Sequence, residues 1–228
     1  MDKNNFLIVI DGIDGSGKQT QTELLLKYLK QKNKKVIMQS FPNYQSDSSK
    51  PVKLYLSGQL SKKADEINSY QSSVLFAVDR FCTLKMMYNQ IQENTVILFD
   101  RYVSSNMLHQ GGKIEDPIEL DKYLNWLDDF EFNLMKLPRP DLIFFLDMPP
   151  DKSLELANQR KEYKGGIKND IHEQDKNHLI HAYQTGINIA KKYQWTIISC
   201  VDDKNQIKSS DNIHKEIVEI VNQKLGLD

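Results

Sequence analysis

Five short apolar segments, separated by longer segments of helical periodicity, constrain the fold of this chain more than any other feature. They are rich in β-branched and aromatic residues and span Phe6–Ile10, Lys35–Gln39, Thr95–Phe99, Leu142–Leu146 and Trp195–Cys200. Continuous apolar runs of this length predict strands that are buried on both faces. Because helical segments alternate with these strands, the chain is expected to form an α/β fold with a five-stranded parallel sheet and helices on both faces.

The helical segments carry apolar residues at the spacing of one helix face. The predicted helices span Lys18–Lys30, Ile67–Gln92, Pro117–Leu137, Ser153–Lys161, His172–Tyr193 and Asp211–Leu225. Three stretches interrupt the pattern and are expected to be loops, Phe41–Ser61, Gly111–Pro117 and Lys161–Asp170. The 228 residues contain no internal repeat and no linker composition, which predicts one domain over residues 1–228.

Charge and hydropathy exclude several classes of protein. With 30 basic and 31 acidic residues, the chain has a net charge of -1, which disfavours a general nucleic-acid binder. The first apolar run, Phe6–Ile10, is too short for a signal peptide. No run approaches the roughly 20 apolar residues that a transmembrane helix needs. We therefore expect a cytoplasmic protein that binds neither nucleic acid nor membranes.

A glycine-rich motif lies between the first strand and the first helix. It reads Gly12-Ile13-Asp14-Gly15-Ser16-Gly17-Lys18 and matches the pattern G-x-x-x-x-G-K. In such a loop, backbone N–H groups and the helix N-terminus bind phosphate oxygens, and the lysine reaches the β- and γ-phosphates. The motif predicts a nucleotide-phosphate site formed by Gly12, Ile13, Asp14, Gly15, Ser16, Gly17, Lys18, Gln19 and Thr20.

The motif departs from its usual form where a magnesium ligand is expected. Gln19 replaces the Ser or Thr whose hydroxyl commonly binds Mg²⁺, and Thr20 is rotated by about 100° around the helix. Because Mg²⁺ prefers carboxylates, phosphates and water, we expect the nucleotide and acidic side chains to hold it. Asp100, at the carboxyl end of the third strand, and Asp14 are the predicted ligands. Alternatively, Asp100 and Arg101 form a structural pair that caps the next helix.

Several motifs occur in a fixed order along the chain. They are Asp14 in the phosphate loop, Phe41-Pro42-Asn43-Tyr44, Leu75-Phe76-Ala77-Val78-Asp79-Arg80, Asp100-Arg101-Tyr102-Val103-Ser104-Ser105-Asn106, and Asp170-Ile171-His172-Glu173. From Phe6 to about Tyr193, this ordered set resembles the thymidylate kinases, nucleoside monophosphate kinases of the P-loop class. The resemblance implies a three-layer P-loop fold with a short lid, transfer of the γ-phosphate of ATP to dTMP, Mg²⁺ dependence and a homodimer.

The resemblance also implies roles for residues in the acceptor site. Phe76 is similar to the ring that stacks on thymine, and Arg80 to the arginine that hydrogen-bonds its O4. Arg101 and the Phe41-Pro42 turn resemble the clamp on the acceptor phosphate. Ser105 and Asn106 resemble the groups that contact the polar edge of the base. Asp14 resembles the carboxylate beside the 3′-hydroxyl, and Tyr44 and His109 resemble residues that line the sugar site. Alternatively, Phe76 and Tyr44 are core aromatics, Arg80 belongs to a surface ion pair, and His109 lies on a helix surface.

A basic stretch resembles the lid that closes over the phosphates in this family. The expected lid spans residues 160–172, with Gly165–Gly166 as a hinge. Because position 15 is Gly rather than the arginine of some family members, Arg160 is expected to supply the catalytic cation. Lys18, Arg160, Arg101 and Asp14 are thus the predicted catalytic residues. The alternative is a solvated basic loop.

Two other functions remain open from the sequence. A deoxynucleoside kinase would act on a free 5′-hydroxyl, whereas Arg101 and the Phe41-Pro42 turn favour an acceptor that already carries a phosphate. A nucleotide-binding switch or ATPase would need no second nucleotide site, whereas Phe76 and Arg80 indicate one.

Overall fold

Five parallel strands form one sheet in the computed structural model, which describes residues 4–60, 66–156 and 176–227. The strands are β1 (Phe6–Asp11), β2 (Lys35–Ser40), β3 (Thr95–Asp100), β4 (Leu142–Asp147) and β5 (Thr196–Ser199). Their order is β2-β3-β1-β4-β5, and every neighbouring pair is parallel. All five predicted strands and the predicted fold class are confirmed.

Burial differs between the centre and the edges of the sheet. The residues of β1, β3 and β4 are mostly buried, as expected. The prediction of burial on both faces is wrong for β2 and β5, whose residues are mostly half-exposed. Each of these strands lies at an edge of the sheet, where it has one neighbouring strand.

Besides the helical residues 150–156 and shorter helical turns, seven helices lie around the sheet in the described part of the chain. They are α1 (Lys18–Gln31), α2 (Lys50–Leu56), α3 (Ser69–Met87), α4 (Val103–His109), α5 (Pro117–Asp128), α6 (Lys176–Lys192) and α7 (Ser210–Leu225). In residues 4–60, 66–156 and 176–227, no helix has the length and apolar character needed to cross a membrane.

Three predicted boundaries need correction. The stretch Phe41–Ser61 is not a continuous loop, because the 3₁₀ turn Asp47–Ser49 leads directly into α2. The loop expected at Gly111–Pro117 begins with the 3₁₀ turn Gly111–Lys113. The helix predicted to end at Leu137 is α-helical to Asp128 and continues as the π-helical segment Asp129–Leu134. Helices as short as α2 carry too little periodicity to stand out in the sequence.

Alternate residues of β1 point into two different apolar layers. Leu7 and Val9 pack on one face of the sheet, with Leu84 of α3 and with apolar residues of α4 and α5. Ile8 and Ile10 pack on the other face, with residues of α1 and α7 that include Leu25. Helices therefore cover both faces of the sheet, and the molecule has three layers.

The strand register brings charged residues together at the carboxyl edge of the sheet. Ile10 of β1 pairs with Asp100 of β3, and Ser40 of β2 pairs with the same residue from the other side. Asp11 and Arg101 follow directly, beside the glycine-rich loop 12–17. Ligands of open α/β sheets bind at this edge.

Candidate active site

The backbone of the glycine-rich loop requires glycine at two positions that touch neighbouring elements. Gly12 has φ +150° and Gly15 has φ +76°, conformations that residues with a side chain rarely adopt. A Cβ at Gly12 would lie 2.9 Å from the Leu146 carbonyl oxygen, and one at Gly15 would lie 2.6 Å from that of Ser153. The Ser153 hydroxyl also donates a hydrogen bond to the Asp14 carbonyl oxygen. The loop is thus closely packed against β4 and the helical residues 150–156.

Lys18 begins α1 and is buried beneath the loop. Its Nζ donates to the carbonyl oxygen of Ile13 at 2.6 Å and lies 3.5 Å from the hydroxyl of Ser16. Burial and the positive charge of Arg101 lower the pKa of Lys18 from 10.5 to about 8, although nearby carboxylates oppose this shift. The loop therefore encloses an ammonium group that loses its proton more readily than an ordinary lysine. This group lies where the phosphates of a nucleotide are expected.

An ion pair connects the glycine-rich loop to the end of β3. The Arg101 guanidinium pairs with the Asp14 carboxylate, and its Nη1 lies 3.3 Å from Nε2 of His109. Burial alone would lower the pKa of Arg101, but Asp14, Asp11 and Asp100 raise it, so the side chain stays protonated. Burial lowers the pKa of His109 to about 3, which leaves its ring neutral and stacked on His178 at 5.7 Å. Arg101 has φ +67°, an uncommon conformation for a residue with a side chain and one that concentrates at functional sites.

Two carboxylates at the ends of β1 and β3 have different environments. Asp11 is fully buried and accepts hydrogen bonds from the backbone of Gly12 and the hydroxyls of Ser104 and Ser105. Oδ1 of Asp100 is buried without a hydrogen-bond partner among the described residues, and Oδ2 lies 3.4 Å from the hydroxyl of Ser40. Burial raises the pKa of Asp100, opposed by Arg101 and Lys18. Asp11 is therefore satisfied internally, whereas Asp100 has a buried oxygen available for a ligand.

A cleft opens beside the Asp14–Arg101 ion pair. Its lining residues are Asp14, Phe41, Pro42, Leu56, Phe76, Asp79, Arg80, Arg101, Tyr102, Ser105, Asn106, His109 and Gln110. Phe76 is half-buried and packs edge-to-face with Tyr55 at 6.1 Å. The cleft therefore combines an aromatic ring with cationic and amide side chains, a lining that suits a planar polar ring carrying an anionic group.

A buried ion pair holds Arg80 in the wall of the cleft. Arg80 is 2% exposed, and Glu131, in the π-helical segment Asp129–Leu134, is 0% exposed. Arg80 Nε donates to Glu131 Oε2 at 2.7 Å, and Nη2 donates to Oε1 at 2.6 Å. Burial raises the pKa of Glu131, opposed by the charge and hydrogen bonds of Arg80. A buried guanidinium needs a counter-charge, so this carboxyl group is ionised.

Asn106 contacts the same glutamate. Its Nδ2 donates to the Ser73 carbonyl oxygen at 3.3 Å and to Glu131 Oε1 at 3.4 Å. The backbone carbonyl of Asn106 accepts from the Tyr123 hydroxyl at 3.1 Å. Both the side chain and the backbone of Asn106 are therefore fixed by buried partners.

The segment that follows β2 is attached to α3 through Asp79. The backbone N–H of Asn43 donates to Asp79 Oδ2 at 2.8 Å, and the Ser48 hydroxyl donates to Oδ1 at 2.7 Å. The ring of Phe41 is buried and packs against Phe99 at 5.2 Å. The cleft wall formed by Phe41 and Pro42 is therefore anchored from both sides.

Comparison with known proteins decides the family. A family model described as Thymidylate kinase matches residues 10–211. The chain belongs to the thymidylate kinase family. It is 27% identical over 219 residues to the thymidylate kinase of Plasmodium falciparum, covering 96% of this chain and 90% of that protein. It is 31% identical over 156 residues to a probable thymidylate kinase of Pyrococcus horikoshii, covering 68% of this chain and 71% of that protein.

Solved thymidylate kinase structures share the fold. That of Candida albicans gives a TM-score of 0.72 at 20% identity, covering 100% of this chain and 96% of the other. That of Ehrlichia chaffeensis gives 0.61 at 21% identity, covering 96% of this chain and 99% of the other. The family assignment confirms the predicted activity, phosphorylation of dTMP by ATP to give dTDP and ADP. The chain is a nucleoside monophosphate kinase.

The structure gathers most of the predicted thymidylate-binding residues around the cleft. Those that line it are Asp14, Phe41, Pro42, Phe76, Arg80, Arg101, Ser105, Asn106 and His109. Tyr44 is 49% exposed and is not among the lining residues, so it is not a core aromatic. Arg80 and His109 are buried, which excludes the alternatives of a surface ion pair and a helix surface. Arg101 pairs with Asp14 rather than with Asp100.

Gln19 does not face the predicted nucleotide-phosphate site. The side chain of Gln19 donates to Glu23 Oε1 at 2.9 Å on the exposed face of α1, so it is turned away from the loop it follows. Arg160 and the predicted lid 160–172 lie outside the described residues.

Several residues of the site carry no signal in the sequence. Glu131 lies in an acidic segment that reads as solvent-exposed helix, and Gln110 follows α4 as an ordinary polar residue. Asp11 could have been suspected, since a carboxylate that follows a buried strand directly is expected at the carboxyl edge of the sheet.

Proposed function

We propose that the cleft holds dTMP while the glycine-rich loop and Lys18 hold the triphosphate of ATP. The observation that carries this assignment is the Asp14–Arg101 ion pair, which connects the loop to the cleft. The thymine ring stacks on Phe76 and is contacted by Arg80 and Asn106. The acceptor phosphate binds Arg101, whose planar guanidinium suits a phosphate.

In the proposed reaction, an oxygen of the dTMP phosphate attacks the γ-phosphorus of ATP. The bond from the γ-phosphorus to the β–γ bridging oxygen breaks, and ADP leaves with that oxygen. Such a transfer depends on positioning and on cations near the phosphoryl oxygens. Lys18 supplies one cation and Arg101 aligns the acceptor. Arg160 stays a sequence-based prediction for a further cation, with Arg160→Ala expected to lose most turnover.

Mg²⁺ fits this edge of the sheet if the nucleotide supplies most of its ligands. Within residues 4–60, 66–156 and 176–227, no cluster of three His, Cys, Asp or Glu side chains is placed to hold a metal ion. Oδ1 of Asp100 is buried and accepts no hydrogen bond from any residue that the structure describes, which suits a hard cation. Asp14 is the weaker candidate because its carboxylate pairs with Arg101. When bound, the ion neutralises charge on the phosphates.

An apolar stripe on α3 supports the proposed homodimer. Tyr70, Val74 and Val78 are exposed and recur every four residues, so they lie on one face of the helix. We propose that this face packs on a second copy and that the dimer is cytoplasmic. Sedimentation of the wild type is expected to give twice the chain mass and Val78→Glu a monomer. Ile118→Glu, at an exposed site on α5, is the control and leaves the mass unchanged.

The proposal is tested by adding one acceptor at a time to protein and Mg-ATP and measuring ADP. dTMP is expected to stimulate ADP release strongly, and dUMP, dCMP, AMP and thymidine much less. Stimulation by thymidine but not by dTMP would place the reaction on a free hydroxyl. Turnover that needs no acceptor would indicate an ATPase.

A further inference from the structure

We infer that Glu131 is a positioning residue that orients both side chains proposed to contact the base and so sets which pyrimidine the cleft accepts. The inference rests on the proposed function, in which Arg80 and Asn106 meet the acceptor base. Glu131 is not among the residues that line the cleft and is fully buried behind them. Any effect on the base must therefore pass through its two partners.

Glu131 fixes the plane of Arg80. The carboxylate engages the guanidinium along one edge, through Nε and Nη2. A guanidinium held along this edge cannot rotate, and Nη1 becomes the nitrogen left for other partners. Nη1 lies 3.4 Å from the carbonyl oxygen of Tyr102, which accounts for one of its two N–H groups. Arg80 therefore presents a hydrogen-bond donor to the cleft.

Glu131 also fixes which end of the Asn106 amide faces away from the base. An ionised carboxylate can only accept hydrogen bonds, so the amide nitrogen must be the atom that faces it. Ser73 supplies a second acceptor on the same side, and the two together use both N–H groups of Nδ2. The atom that Asn106 can offer to the cleft is therefore Oδ1, an acceptor.

The buried carboxylate of Glu131 thus orients Arg80 so that it offers a hydrogen-bond donor to the cleft, and Asn106 so that it offers an acceptor. A thymine or uracil ring has the matching pattern, with O4 as acceptor and N3–H as donor. Cytosine has the reverse pattern, because its N3 accepts and its exocyclic amine donates. A site built for one pattern rejects the other strongly, since the mismatched base leaves buried polar groups unpaired.

The test is Glu131→Gln, which keeps the volume but replaces one accepting oxygen with an amide that donates. Arg80 then loses an acceptor in either orientation of the new amide, because it bonds to both oxygens of Glu131. When the amide nitrogen takes the place of Oε1, Asn106 loses its acceptor as well, and its own amide is free to turn over. We expect the KM for dTMP to rise about tenfold or more, because hydrogen bonds to charged groups are lost. The KM for ATP should stay within about twofold, and the preference for dTMP over dCMP in kcat/KM should fall by about tenfold or more.

The matched control is Asp128→Asn. Asp128 holds Arg139 through two hydrogen bonds of 2.6 and 2.7 Å, but both side chains are exposed. This variant breaks a pair of the same type three residues away and is expected to leave all three kinetic quantities unchanged. Circular dichroism and the ATP-induced shift in melting temperature report whether each variant is folded.

Wild-type values for the KM of dTMP and for the dTMP preference in a folded Glu131→Gln protein would overturn the inference. If that variant does not fold, Glu131→Asp is used, because it keeps the charge that Arg80 requires but is one methylene shorter. It should change the same two quantities by a smaller factor, and unchanged values would again overturn the inference. Failure of the proposed function is distinct, because the wild type would then not be stimulated by dTMP.

Discussion

The ammonium nitrogen of Lys18 lies 2.6 Å from the carbonyl oxygen of Ile13, so the lysine folds back into its own loop. A bound triphosphate must replace this contact with phosphate oxygens. Lys18→Ala is expected to reduce kcat by about a thousandfold or more, the effect typical of losing a cation at a transferring phosphoryl group. Its melting temperature should stay close to that of the wild type, because loss of the hydrogen bond to Ile13 is offset by removal of a charge that burial disfavours. Lys30→Ala, on the exposed side of the same helix, is the control, and near-normal turnover of Lys18→Ala would remove the lysine from the mechanism.

Activity should also depend on pH through Lys18. Its pKa of about 8 means that the ammonium form, which binds phosphate, is lost as the pH rises through that value. We expect kcat/KM for ATP to fall above about pH 8, since this quantity follows the ionisation of the free enzyme. At saturating ATP, kcat should hold to higher pH, because phosphate charge raises the pKa of the bound lysine. Lys18→Arg should remove this decline, and a wild-type profile that is flat to about pH 10 would contradict the assignment.

Asp100 is predicted to help bind Mg²⁺ and, at neutral pH, to lower the stability of the folded protein. Burial raises its pKa above that of the unfolded chain, so its ionised form disfavours the folded state as the pH rises through the folded-state pKa. Asp100→Asn should therefore match or exceed the wild type in melting temperature at neutral pH. It should also need more Mg²⁺ for half-maximal rate. Calorimetry and a magnesium titration measure the two effects, with exposed Asp47→Asn as the control; an unchanged magnesium requirement would exclude Asp100 as a ligand.

Acceptor preference should follow the type of contact that each base loses. dUMP lacks only the methyl group, which is worth about 1–3 kcal/mol, so we expect it to be the best of the poor acceptors. Purine monophosphates should be very poor. Values of kcat/KM for dTMP, dUMP, AMP and GMP test this order, and comparable turnover of AMP or GMP would contradict the role of Arg80.

In this chain, a side chain at Gly15 is expected to cost stability, because the backbone of Ser153 lies close to the position of a Cβ. Gly15→Ala adds both the cost of a positive φ and a Cβ placed 2.6 Å from the backbone of Ser153. Gly226→Ala is a matched control, because Gly226 also has a positive φ. Among the described residues, no atom outside its immediate chain neighbours lies within 4 Å of the added Cβ. The control should lose about 1–2 kcal/mol in the free energy of unfolding, the cost of the left-handed backbone alone. Gly15→Ala should lose more and should weaken ATP binding, whereas equal losses would show that contact with Ser153 is unimportant.

The five strands could be predicted from the sequence because each strand is a short apolar run that is recognisable by itself. Apolar runs such as Phe6–Ile10 are recognisable whatever surrounds them, and the glycine-rich motif fixes the first turn. Helices α2 and α4 have seven residues each and were not predicted. Helices this short depend on tertiary packing rather than on their own periodicity.

Residues of the candidate site were predictable where they belong to a recognisable motif. Residues that only support the lining residues of the cleft were not. Asp14, Arg101 and Asn106 belong to motifs and lie at the cleft, as expected. Glu131 lies far along the chain in an acidic segment, and its burial beside Arg80 of α3 and Asn106 of α4 follows from tertiary structure that the local sequence does not show. Gln19 shows the converse, since its position in the motif predicted a contact with the nucleotide but its side chain bonds to Glu23.

The ion pair between Asp14 and Arg101 has a thermodynamic consequence. Asp14 belongs to the loop proposed for the donor nucleotide, whereas Arg101 faces the cleft proposed for the acceptor. A phosphate that draws Arg101 toward itself weakens the hold of Arg101 on Asp14, and the electrostatic field at the donor loop changes with it. Two ligands that share one charge pair cannot bind independently, and whatever factor dTMP imposes on the affinity for ATP, ATP must impose on the affinity for dTMP.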